Sequence, residues 1–325
     1  MKRRDTLLAF LALGAAPLFA KAQQTQKTYR IGFLGPTSTS GSASRVEAMR
    51  VGLRELGYVE GENLVIEFRW ADGKYERLPE LAAQLVRLKV DVLITVGVPG
   101  TRAAKGATTT IPIVIAATGD AVASGLVASL ARPGGNVTGS TYFIQELFAK
   151  RLELLKGAVP RITQVAILLN PQNPGNLKNM EKMEVAAKSM KVALHLFGAR
   201  GPDEFAGAFA AMAEKGVEAV QVLEDAMLNL NAVATADHAA KRRLPSIGFK
   251  EFADAGGMIG YGVNILELYR RAAYFADKIL KGAKPADIPV EQATRFELVV
   301  NLRTARELGL TIPKSILLGA DRVIE

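Results

Sequence analysis

What most constrains this chain is a repeated succession: a short, unbroken aliphatic run, then a segment whose apolar residues recur at helical spacing. It begins at Tyr29. YRIGFL (29–34) reads as a strand, and residues 43–57 follow with Val46, Met49, Leu53 and Leu56 on one helical stripe. Gly57 ends that helix, and Gly61 turns the chain into NLVIEFRW (63–70). A helix over ERLPELAAQLVRL with Pro79 in its first turn, a strand over VDVLITV, a helix opening at GTRAAKGA and a strand over IPIVIAA complete the series. Runs of Val, Ile and Leu without polar alternation predict strands buried on both faces, hence a parallel sheet with helices on each side.

The succession then restarts. ELFAKRLELLKGAV, NLKNMEKMEVAAKSM, DEFAGAFAAMAEKG and AVATADHAAKRRL read as helices. QVAILLN (164–170), VALHLF and VEAVQVLE read as strands, with PSIGF and GMIGYG as short terminal ones. Two doubly wound lobes are expected, joined near Thr138–Thr141 and again near Gly260–Gly262. The helix NILELYRRAAYFADKILKG (264–282) returns to the first lobe, and the late strand FELVVNL is a candidate to cross back. The expected division is 29–140 with about 263–290 in one lobe, and 141–262 with about 291–325 in the other. Lobes tied by more than one crossover form a hinge that closes around a ligand.

The N-terminus stands apart from this pattern. Met1-Lys2-Arg3-Arg4, the apolar stretch Leu7–Ala20 and the small-x-small triplet Ala20-Lys21-Ala22 read as a signal peptide over residues 1–22, cleaved after Ala22. Arg3-Arg4 also resembles a twin-arginine start. No other apolar run approaches the ~18 residues of a spanning helix, so a soluble, periplasmic mature chain is expected. The chain has no cysteine, which excludes disulfides, thiol chemistry and cysteine-ligated zinc. Its net charge of +9 is dispersed, with Lys241-Arg242-Arg243 the densest run. With an export signal this reads as a solvated basic surface and not as a nucleic-acid interface.

In open α/β sheets ligands bind beyond the carboxyl ends of the strands. In the first lobe that rule selects Gly35–Ser42, Gly97–Thr101 and Thr118-Gly119-Asp120. In the second it selects Asn170–Pro174, Glu224-Asp225 and Gly260-Tyr261-Gly262. Thr37 and Ser38, and Thr101 after Gly97 and Val98, precede helix starts, where hydroxyls, free N–H groups and the helix dipole suit a carboxylate or phosphate. They could equally cap those helices. Asp120 and Asp225 could take an ammonium group or cap the next helix. Tyr261 could lie against a flat ligand or pack in the hinge. Trp70 and Tyr75 are expected to cover the sheet edge.

Catalytic signatures are missing. There is no G-x-G-x-x-G after a strand, no Walker A loop and no G-x-S-x-G. His195 sits in a strand and His238 on a helix, neither at metal-ligand spacing from a partner; Asp237 and His238 are adjacent and so diverge on a helix. No enzyme activity, metal or cofactor is expected.

Four long segments carry a resemblance: GLRELGYVEGENLVIEFRWADGKYERLPELAAQLVRLKVDVLIT, TTIPIVIAATGDAVASGLVASLARPGGNVTG, AKRLELLKGAVP and ADKILKGAKPADIPVEQATRFELVVNLRTARELGLTIP. In this order they resemble the ABC-transporter substrate-binding protein family of the tryptophan/tyrosine type, over about residues 29–325. The resemblance implies a type I periplasmic binding fold: two Rossmann-like lobes, a hinge of three crossovers and a ligand clamped between them. It implies a monomer that takes a small carboxylate-bearing solute, such as an aromatic or other amino acid, and delivers it to an ABC permease in the inner membrane. Thr37 and Ser38 match the family's first ligand loop and Gly97–Thr101 its second. Thr118-Gly119-Asp120 matches its G-D-P turn, with Ala121 in place of proline. Asn170, Asn173, Asp225 and Tyr261 match second-lobe and hinge positions, with Gly260 where the family often has serine. Two other readings stay open: a sensing subunit that docks on a membrane receptor, and an exported enzyme on the same fold.

Overall fold

The computed structural model describes residues 27–142, 144–177 and 180–325. The expected signal peptide, residues 1–22, lies outside them. The first series folds as β1 (Tyr29–Gly35), α1 (Ala43–Glu55), β2 (Leu64–Trp70), α2 (Leu78–Arg87), β3 (Val92–Val96), α3 (Gly97–Ala107), β4 (Ile113–Gly119) and β5 (Val137–Tyr142). The second folds as α4 (Ile144–Ala158), β6 (Gln164–Leu169), α5 (Pro174–Leu177), α6 (Met180–Ser189), β7 (Ala193–Gly198), α7 (Phe205–Lys215), β8 (Ala219–Val222), α8 (Ala226–Leu230), α9 (Ala232–Lys241), β9 (Ser246–Gly248) and β10 (Ile259–Val263). Then come α10 (Ile265–Leu280), β11 (Glu291–Gln292), β12 (Phe296–Asn301), α11 (Leu302–Glu307), α12 (Lys314–Leu318) and β13 (Arg322–Ile324).

Two sheets result. The first runs β11-β5-β4-β3-β1-β2, and all its pairings are parallel. The second runs β13-β12-β10-β9-β8-β6-β7 and is parallel except where β12 runs antiparallel to β10. The central strands are sealed on both faces, as their unbroken aliphatic sequence requires: Ile31, Phe33, Ile94, Val114 and Ile115 in the first sheet, Val165 to Leu168 in the second, are wholly buried.

The chain passes between lobes three times: from β5 into α4, from β10 into α10, and from β11 into β12. FELVVNL is therefore a strand of the second sheet. α10 packs back on α1 and over β3, β4 and β5. That packing is close at Gly52, where a Cβ would sit 2.8 Å from the Arg270 carbonyl oxygen and 2.9 Å from the Ala273 Cβ.

Local readings differ in several places. α3 starts at Gly97, so Gly97–Thr101 is a helical first turn and not a loop; Pro99 in that turn is pre-set for it. β4 continues through Thr118 and Gly119, and the expected short helix after Asp120 is a run of turns. Gly125, at φ +70°, ends that run. NLKNMEKMEVAAKSM divides into α5 and α6, and the short α8 precedes α9.

Candidate ligand-binding site

The carboxyl ends of both sheets face each other, and the lobes are shut. Tyr75, in the short 3-10 turn before α2, donates its hydroxyl to Asp225 Oδ2 across the cleft at 2.9 Å and accepts the Met227 N–H at 3.3 Å. Val98 of α3 lies against Gly175 of α5, and Leu230 of α8 lies against Gly41 of the first-lobe loop. Tyr75 therefore bridges the lobes instead of covering a sheet edge.

Asp225 is the centre of a polar knot. It is the N-cap of α8, and its Oδ1 accepts the N–H groups of Met227 at 2.9 Å and Leu228 at 3.4 Å. Asn170 Nδ2 donates to Oδ1 at 3.2 Å and Asn173 Nδ2 to Oδ2 at 3.0 Å. Each asparagine uses its own oxygen to fix its turn, on the Gln172 and Gly175 N–H groups. Burial raises the Asp225 pKa, and the Tyr75 and asparagine donors oppose that rise. With every lone-pair direction taken, the carboxylate has no room for a ligand ammonium in the shut arrangement.

The other expected contacts are also turned inward. The Thr37 and Ser42 hydroxyls pair at 2.6 Å. Ser38 Oγ meets Ser40 Oγ and accepts the Gly41 N–H, both at 3.2 Å. Thr101 donates to the Gly97 carbonyl and meets Thr95, both at 2.9 Å. Thr118 donates to the Gly119 carbonyl at 3.3 Å. Asp120 accepts the Ala123 N–H at 2.9 Å and so caps the turn that follows it. Tyr261 lays its ring against Phe296, with centroids 6.0 Å apart. His195 pairs with Gln164 at 2.5 Å, and His238 stacks on Phe209. Among the described residues no group of three or more His, Cys, Asp or Glu side chains could hold a metal ion.

Sequence reasoning placed Glu224 at a strand end but missed the other charges at the base of the cleft. Arg151 of α4 is wholly buried; its guanidinium forks onto the Glu224 carboxylate, with Nη1 2.5 Å from Oε2, while Nε donates to the Tyr261 carbonyl at 2.7 Å. Beside this pair, Arg45 of α1 and Glu251, just after β9, line a cavity of about 550 Å³ between the lobes. Neither side chain has an ion pair among the described residues, and the Glu251 carboxylate accepts its own backbone N–H. They do feel each other: burial raises the Glu251 pKa, and the Arg45 charge is the main force lowering it. The Arg45 charge also reaches the phenols of Tyr142 and Tyr269. Burial pushes Tyr142 far above its ordinary range, reinforced by Glu224, and Tyr269 up to about 12. Two signals in the sequence pointed here. A cation in the first turn of a helix is opposed by the helix dipole, and Lys250-Glu251 lies beyond the carboxyl end of a strand.

Two doubly wound lobes, three crossovers and a charged cavity in the closed cleft define a type I periplasmic binding fold. The sequence matches the family of ABC transporter substrate binding proteins over residues 31–324, and the chain belongs to that family. A tyrosine-binding protein of Clostridioides difficile is 26% identical over 259 residues, spanning 79% of this chain and 74% of the relative. A conserved domain protein of Vibrio cholerae is 27% identical, with a TM-score of 0.86 over 91% of this chain and 100% of the other. An ABC domain from Streptococcus pneumonia in complex with L-Trp is 26% identical, with a TM-score of 0.85 over 92% and 100%. Members of this family bind solutes and are not enzymes, so this chain is a small-molecule-binding protein. Among the described residues no helix is long and apolar enough to cross a membrane.

Proposed function

We propose that this chain is the periplasmic, monomeric solute receptor of an ABC importer, that its solute is a zwitterionic amino acid, and that it hands the solute to an inner-membrane permease. The observation that carries this is a pair of opposite charges without a salt bridge, Arg45 from one lobe and Glu251 from the other, on the wall of one interlobe cavity. An α-carboxylate on Arg45 and an α-ammonium on Glu251 would satisfy both and favour the shut arrangement that brings them together. The names of two relatives, one a tyrosine-binding protein and one in complex with L-Trp, supply the first probes. In this reading Thr37, Ser38, Gly97, Val98, Thr101, Thr118 and Asp120 shape the first-lobe strand ends away from that cavity, and Asn170, Asn173, Asp225 and Tyr261 hold the second lobe and the hinge.

The test is calorimetry with L-tyrosine and L-tryptophan on the wild type, Arg45→Ala and Glu251→Gln. Truncating one partner of a buried charge pair weakens binding by about 2–5 kcal/mol. Loss of that size is expected in each variant, without loss of folding. Unchanged affinity in both variants, or no amino-acid binding by the wild type, would overturn the proposal.

A further inference from the structure

A second cavity of about 610 Å³ lies at the hinge. It meets all three crossovers: Ser140 of β5, Val263 and Asn264 before α10, and Gln292 to Arg295 after β11. Its remaining walls are the C-terminal end of α1, at Gly52 to Leu56, and one face of α10. Ser140 lines this space at 1% exposure, and its buried hydroxyl has no hydrogen-bond partner among the described residues. A buried hydroxyl left unpaired is costly, and a polar ligand atom brought within its reach would remove that cost.

The other polar groups indicate the chemistry. The cavity's acids are spent or solvated: Glu55 pairs with Arg270, Glu291 with Arg271, and Glu267 is exposed. Arg295 is an exposed cation at the rim with no ion pair among the described residues; its field reaches Glu297, which Lys250 already holds at 2.9 Å. The floor is apolar, from Val263, Leu268 and Ala293. A free guanidinium and an unpaired hydroxyl over an apolar floor suit an organic carboxylate. Arg295 also lines the solute cavity, so the two spaces share one cation.

We propose that the hinge cavity is a second ligand site, for a small organic carboxylate, and that its occupancy is coupled to lobe closure. Its walls belong to the segments that bend when the lobes part, so a ligand that fits the shut hinge favours the shut cleft. By reciprocity it tightens solute binding and is tightened by it.

Benzoate is the probe, titrated by ligand-observed NMR. Saturable binding is expected in the wild type and in Arg45→Ala, where the solute cavity has lost its own cation; Arg295 lines both spaces, so Ser140→Ala is the variant that assigns the binding to the hinge. Ser140→Ala and Arg295→Ala should each weaken it by about fivefold or more, while Ser140→Ala alone leaves L-tyrosine affinity as it was. Saturating benzoate should raise L-tyrosine affinity about threefold or more in the wild type and not in Ser140→Ala. Only this coupling arm rests on the amino-acid reading; the benzoate titration stands without it. No saturable benzoate binding, binding indifferent to Ser140→Ala and Arg295→Ala, or binding abolished by Arg45→Ala would each overturn the second site. Benzoate binding that leaves L-tyrosine affinity unchanged would overturn the coupling.

Discussion

A cation in the first turn of a helix works against the field of that helix, and Arg45 holds that position in α1 without an ion pair to compensate among the described residues. Glu251 is its counterpart, with a carboxyl held above the ordinary range by burial. An ammonium placed against it would draw that pKa back down. Affinity for a zwitterion is therefore full above the raised pKa and falls as pH drops through it. Calorimetry from about pH 7 to about pH 4 should show this fall in the wild type and a flatter profile in Glu251→Gln. For the empty protein the sign reverses: ionising Glu251 weakens the folded state as pH rises above the usual carboxylate range. Arg151 differs, because its charge is already matched. Arg151→Ala would strand the Glu224 carboxylate in the hinge and should lower the free energy of unfolding in urea by about 3–5 kcal/mol. The candidate acids Asp120 and Asp225 were visible in the sequence because strand ends are. Their saturation was not, since the donors to Asp225 include Tyr75 from the other lobe and two asparagines more than fifty positions away.

At the scale of elements, most strands and helices were legible because each carries its own period. The exceptions have local causes. Thr118-Gly119 looked like a loop, but Thr118 pairs with Thr141 and Gly119 with Tyr142 across to β5, which extends the strand. The run after Asp120 has a cap and apolar residues, yet Gly125 turns it before a helix can nucleate. The contact of α1 with α10 could not be read from either helix alone. It needs Gly52, and Gly52→Ala should destabilise the protein by about 1–3 kcal/mol through overpacking against Arg270 and Ala273, measured by thermal or urea unfolding.

For the whole molecule, two lobes and a hinge followed from the restart of the strand–helix succession, and the family resemblance supplied the third crossover. What the sequence withheld was which side chains meet when the lobes close, because those contacts join distant segments. Tyr75 is the clearest case. Tyr75→Phe removes a hydrogen bond to a buried carboxylate, worth about 1.5–3 kcal/mol, only in the shut state. Solute affinity should fall by about tenfold or more, mostly through faster dissociation, which stopped-flow fluorescence would resolve.

An odd number of crossings has a geometric consequence. A chain that passes between lobes three times begins in one and finishes in the other: β1 belongs to the first sheet and β13 to the second. The separation between Lys27 and Val323 is thus a ruler for the cleft angle. Because the chain contains no cysteine, two introduced at those positions would be its only thiols. A fluorophore pair attached there would follow opening and shutting in a single molecule.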